Sequence, residues 1–183
     1  RDPGSVPYFL RGFYISYAQI KSLRLDILSE ASADLTTAFG ELDDALAMLK
    51  AASVGPIFES YYSLILSHRL RLGNNFDGSR QELRRAEDLV DDVFIPTVSV
   101  GLMIERSRHS EAKGRMDAVD VSLQQAMMIC LDSGWRNRVR YLKLRFPKSY
   151  NQHHGSATII TQVSSQNLSK EGRQIDAIVH IGA

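Results

Sequence analysis

The stretch Gly134–Phe146, GWRNRVRYLKLRF, is the sharpest functional hint in the chain. Trp135, Val139, Leu142 and Phe146 recur every three or four residues and form an apolar stripe. Arg136, Arg138, Arg140, Lys143 and Arg145 leave the rest of such a helix basic. A helix of this kind can lie on RNA, on DNA phosphates or on an anionic peptide. The same stripe can instead dock on a preceding helix, and this reading is favoured, with the basic face left over for a partner. Arg136, Arg140 and Lys143 are the candidate contacts for an anionic partner.

Other residues with chemical potential are better explained by packing. His153 and His154 are adjacent, so a regular element cannot aim both at one ion, and no Asp, Glu or Cys lies nearby to complete a metal site. His68 and His109 fall in helical segments and His180 in an apolar run, where partial burial is the expectation. Cys130 follows Ala126 by four residues on an apolar stripe, which marks an inert core thiol rather than a nucleophile. Glu87, Asp88, Asp91 and Asp92 read as a solvated face, because no glycine loop shapes a pocket around them. Gly-x-Gly-x-x-Gly, Gly-x-x-x-x-Gly-Lys and Gly-x-Ser-x-Gly patterns are all absent. The expectation is therefore no catalytic residue, no metal and no cofactor within the chain.

The bulk composition agrees with a binding role. The chain has 183 residues, 44% of them hydrophobic and 23% charged, enough for one folded domain and an appendage. Its net charge of +1 supplies no global field for nucleic acid or an anionic membrane. A single cysteine excludes an intramolecular disulfide and points to a reducing, cytoplasmic setting. No apolar run approaches the roughly 20 residues that span a bilayer, so no membrane partner is expected. A start at Arg1 without a signal-peptide pattern suggests a segment of a longer protein.

The elements that must position these residues are helices. Leu42, Ala45, Leu46, Leu49 and Ala52 share one stripe, and Phe58, Tyr61, Tyr62, Ile65 and Leu72 another. Leu83, Ala86, Leu89 and Val90 form a third, and Val119, Leu123, Ala126, Met127, Cys130 and Leu131 a fourth. The spacing predicts helices near 8–37, 41–53, 57–72, 79–92, 97–113, 117–133 and 135–146, with prolines at their borders. Asp43 and Asp44 then sit in a first turn, at the positive end of the helix dipole. Short connections make neighbours antiparallel hairpins. Residues 148–156, KSYNQHHGS, read as a linker and 157–163, ATIITQV, as a candidate strand.

Leu-x-x-Ala recurs at Leu49/Ala52, Leu83/Ala86 and Leu123/Ala126, each time nine or ten residues after Gly40, Gly73 or Gly114. GELDDALAMLKAA (40–52) and GRMDAVDVSLQQAMMICLDSG (114–134) resemble the second-helix signature of tetratricopeptide-like repeats, most of all the degenerate repeats of large bacterial signal-transduction ATPases and transcriptional activators. The copy at 114 matches with Gly114, Ala118, Leu123, Ala126 and Gly134, and that at 40 with Gly40, Ala45, Leu49 and Ala52. The resemblance covers roughly residues 10–146 and implies helical hairpins stacked as a short right-handed solenoid; with the helical pattern it gives an all-α domain over 1–147, and the linker and tail over 148–183 lie outside it. It implies a protein or peptide partner, or a sensed ligand, in a larger signalling or transcription-regulating protein; homo-oligomers fit the same surface, and a nucleic-acid-binding domain is the alternative. First-helix residues would line the groove, which selects Ser63, Ser67, Arg71, Arg108 and Glu111.

Overall fold

Two prolines forty residues apart, Pro56 and Pro96, each open a helix, where the missing N–H has no partner to lose and φ is already helical. The computed structural model describes residues 3–31, 34–91 and 94–147. After a 3₁₀ turn at Pro3–Ser5, it runs α1 (Tyr8–Glu30), α2 (Thr36–Ala52), α3 (Pro56–Leu72), α4 (Phe76–Asp88), α5 (Pro96–Glu111), α6 (Met116–Asp132) and α7 (Arg136–Arg145). No strand occurs among the described residues, and none of their helices is long and apolar enough to cross a membrane. The linker and candidate strand of residues 148–163, and the tail beyond, lie outside the described residues. One compact unit ends at Trp135 and a second begins at Arg136.

Within the first unit the tightest pairings are α1 with α2, α3 with α4 and α5 with α6, and successive pairs touch through α1, α2 and α3 and through α3, α4 and α5. The all-α expectation holds. Ala18 and Leu25 of α1, Leu42, Ala45, Leu46 and Leu49 of α2, and Phe58 and Ile65 of α3 form one buried cluster. Leu64, Leu83, Ala86, Val98 and Leu102 form another between α3, α4 and α5. Gly101 marks the closest approach there, since a Cβ added to it would come 2.5 Å from Leu64 Cδ2. Val119, Leu123, Ala126 and Cys130 of α6 are buried, whereas Leu131, expected on that stripe, is exposed.

One turn closes both the second and the third hairpin. Asn74 and Gly114 are left-handed, with φ of 61° and 69°, and the next N–H reaches back five residues, Asn75 to Leu70 at 2.9 Å and Arg115 to Ser110 at 2.9 Å. This is a Schellman closure. The residues that then start α4 and α6 have the same backbone, Asn75 at φ −89°, ψ 74° and Arg115 at φ −91°, ψ 75°. Gly73 has φ −84°, and the left-handed place falls one residue later on Asn74, whose short amide tolerates that region.

Four expected boundaries shift, one of them the end of α4, which falls at Asp88 and not near 92. The first helix was expected to run over 8–37 but ends at Glu30, and α2 starts at Thr36 rather than 41. Asp34 Oδ1 accepts from the Thr36 N–H at 2.9 Å and from its hydroxyl at 2.7 Å, a local side-chain cap that begins the helix before Gly40. Gly40 is thus interior to α2, and Asp43 and Asp44 lie beyond the first turn, away from the dipole end. Asp43 instead takes a bidentate ion pair from Arg69 of α3, at 2.8 and 2.7 Å. Helix α4 begins at Phe76, not 79, because the Asn75 side chain accepts from the Gly78 N–H at 3.0 Å.

Candidate functional site

Helix α3 carries serines at 60, 63 and 67, and all three are fully buried. Ser60 turns its hydroxyl back to the Ile57 carbonyl at 2.8 Å. Ser67 donates to the Ser79 carbonyl at 2.9 Å and Ser79 to the Ser67 carbonyl at 2.7 Å, a reciprocal clasp between α3 and α4. Ser79 Oγ also lies 2.8 Å from His109 Nε2 of α5. The two hydroxyl oxygens also lie 3.0 Å apart, so the serine pair and the imidazole form one buried polar chain across α3, α4 and α5. The Ser–His distance suits a nucleophile and base, but Ser79 is wholly shielded from solvent. Burial holds the His109 pKa below its ordinary value; Glu105 opposes this, and Arg71, Arg80 and Lys113 reinforce it.

Beside this chain lies an ionic cluster contributed by α1, α3 and α5. Glu105 Oε1 accepts from Arg108 Nη1 at 2.6 Å and lies 2.8 Å from His68 Nδ1, while Oε2 accepts from Arg71 Nε at 2.9 Å. Arg108 also donates through Nη2 to Asp26 of α1. His68 Nε2 faces Asp26 Oδ1 at 3.4 Å, too poorly aligned for a hydrogen bond. Each imidazole nitrogen thus faces a carboxylate. Glu105, His68 and Arg108 are 4–5% exposed, so solvent reaches the cluster only at its rim, Asp26 and Arg71. Burial alone would raise the Glu105 pKa, but His68, Arg108 and Arg71 hold it well below the usual carboxylate range. Two carboxylates thus face two guanidiniums and an imidazole, so each buried charge has an opposite partner, as a low-dielectric interior requires.

The residues selected from sequence separate into three groups. Arg71 and Arg108 meet on Glu105. Ser63 and Ser67, expected to line a groove, are instead enclosed, Ser67 in the serine clasp. Glu111, the last residue of α5, is exposed. In the second unit Arg136 and Arg140 of α7 are exposed and Lys143 is partly buried, on a helix whose Val139 and Leu142 are buried. Cys130 is a buried thiol, as expected. Glu87 pairs with Arg106 at 2.5 Å; Asp88 edges a shallow depression on α4 with Asp77, Arg80, Gln81, Arg84 and Arg85. Asp92, His153, His154 and His180 lie outside the described residues. Among those described, no group of three or more His, Cys, Asp or Glu could hold a metal ion.

Asp26 and Glu105 did not emerge from the sequence as site residues. The available signal was a pair of motifs on first helices, His68-x-x-Arg71 and Glu105-x-x-Arg108, thirty-seven residues apart. Comparison with known proteins returned no matching family model, no matching curated protein and no matching solved structure.

Proposed function

We propose that this chain is a helical-hairpin repeat module of the tetratricopeptide-like kind, its hairpins stacked as a short right-handed solenoid. In this reading it binds a protein or peptide, or senses a ligand, on behalf of a larger multidomain protein. The observation that carries the reading is the repeated hairpin: α3–α4 and α5–α6 each open on a proline and close on the same left-handed turn, forty residues apart. The serial contact of α1, α3 and α5 supports it, since first helices line one continuous face in such stacks and that face is where they bind. The ionic cluster ties those three helices and presents Asp26 and Arg71 at its edge. A partner surface preorganised in this way loses little entropy on binding.

A nucleic-acid reading has one observation in its favour: α7, RNRVRYLKLR, carries no acidic residue and leaves Arg136 and Arg140 exposed. One experiment separates the two. Panning a random-peptide phage library on the immobilised chain should enrich peptides, and replacing Arg136, Arg140 and Lys143 together with Glu should weaken the acidic ones at least about tenfold, or 1.4 kcal/mol, at unchanged circular dichroism. Unchanged affinity removes those three residues from the interface, and failure to enrich any peptide removes the module reading. A labelled single-stranded oligonucleotide whose affinity collapses with added salt establishes the nucleic-acid reading instead.

A further inference from the structure

Helix α1 has two apolar faces, and among the described residues only one is packed against the rest of the fold. Ala18 and Leu25 are fully buried, with Tyr14, Ile15, Tyr17 and Leu28 packed beside them. On the other side Phe9 is 81% exposed, Phe13 66%, Ile20 64%, Leu23 51% and Ile27 60%. Together with the exposed Ser16 these residues are spaced 4, 3, 4, 3 and 4 apart, the spacing of core positions in a coiled coil. At 100° per residue they occupy an arc of about 80° and run along about 27 Å of helix. None is charged. Their exposed surface amounts to roughly 500 Å² per copy, at the size where an apolar patch on a soluble protein marks an interface.

The spacing also selects the occupant. A 4-3 repeat is the pattern one helix offers another, and this series reads the same in both directions. A second α1 laid antiparallel keeps the register throughout: Phe9 meets Ile27, Phe13 meets Leu23 and Ser16 meets Ile20 of the other copy. Aromatic end then packs on aliphatic end, and every layer joins unlike heptad positions, as antiparallel pairs require. A parallel pair would stack Phe9 on Phe9 and bury Ser16 against Ser16. Two copies would remove roughly 1,000 Å² from water, the lower bound of a specific interface. We propose that α1 is a two-fold dimerisation helix, pairing antiparallel with α1 of a second copy. This inference rests on α1 alone and stands or falls independently of the partner-binding reading.

Sedimentation velocity on the full chain between 1 and 100 µM tests it. The expected species is a dimer of twice the 20.5 kDa chain mass, converted to monomer by Phe13→Glu with Ile20→Glu, with dissociation constant raised at least a hundredfold and helical content unchanged. Should that pair lose helical content, Leu23→Glu alone provides the same readout. Cysteines at Phe13 and Leu23 together should cross-link the dimer under mild oxidation, whereas Phe13→Cys alone should not. A wild-type monomer at 100 µM, or cross-linking by Phe13→Cys alone, overturns the proposal.

Discussion

Replacing Glu105 with Gln tests whether the ionic cluster is as tightly balanced as its geometry indicates. In the wild type one carboxylate accepts from Arg108 and Arg71 and lies 2.8 Å from His68 Nδ1, and it is only 4% exposed. Gln keeps the shape but has one carbonyl oxygen. Its NH₂ must face either Arg71 Nε or Arg108 Nη1, so one donor is left pointing at another. The two guanidiniums then have only Asp26 as a counter-charge, and at least one positive charge is uncompensated in the interior. Breaking a buried pair in this way costs about 3–5 kcal/mol, at least about a fifth of a typical domain's stability of about 5–15 kcal/mol. Urea unfolding followed by circular dichroism should show the loss at pH 7. The acid limb supplies an independent signature. Because the folded Glu105 pKa is depressed, its contribution is present above the ordinary value near 4.5 and is lost as pH falls toward the folded pKa. The Gln variant should therefore show a flatter acid limb as well as a lower plateau. A loss below about 1 kcal/mol, the range of a surface pair, would refute the claim that the cluster is desolvated and held together by Glu105.

The left-handed turns make opposite expectations for two substitutions: Gly114→Ala, at φ 69°, should cost about 1–2 kcal/mol, while Asn74→Gly at φ 61° should be neutral or slightly stabilising; equal effects in urea midpoints would contradict the repeated turn. His109 should add a second, milder acid limb. Its folded pKa is depressed, so between that value and 6.5 the unfolded state binds more protons, and stability is lost as pH falls at up to about 1.4 kcal/mol per pH unit. His109→Gln should flatten this limb, and an unchanged limb would show that another group carries it.

The helices were legible because the stripes are. Leu42, Ala45, Leu46, Leu49 and Ala52 repeat at helical spacing, and each is buried. Boundaries failed where a side chain, not a glycine, starts the helix: Asp34 and Asn75 cap α2 and α4 upstream of Gly40 and Gly78. The site was harder to read because its members are scattered. Asp26 and Arg108 are 82 positions apart, and nothing in either residue's neighbourhood signals the other. Ser63 and Ser67 were selected as groove residues from their register alone, and serine's small volume placed them inside, where α4 can approach α3 and the Ser67 hydroxyl bonds to the Ser79 carbonyl. Arg71 and Arg108 came from the same register and did reach a common centre, because charged residues on a packed first helix must find opposite charges nearby.

The ion pair from Arg108 to Asp26 also bears on how the chain unfolds. In stacked hairpins stability is ordinarily a sum of local units and adjacent interfaces, and ends fray while the middle persists. Arg108 of α5 reaches past that scheme to α1 and shares His68 and Glu105 with α3. Losing the first hairpin strips a counter-charge from the third, so its departure is penalised two hairpins away. If the hairpins stack as proposed, the first unit is expected to melt as one cooperative block and not by peeling from its N-terminus.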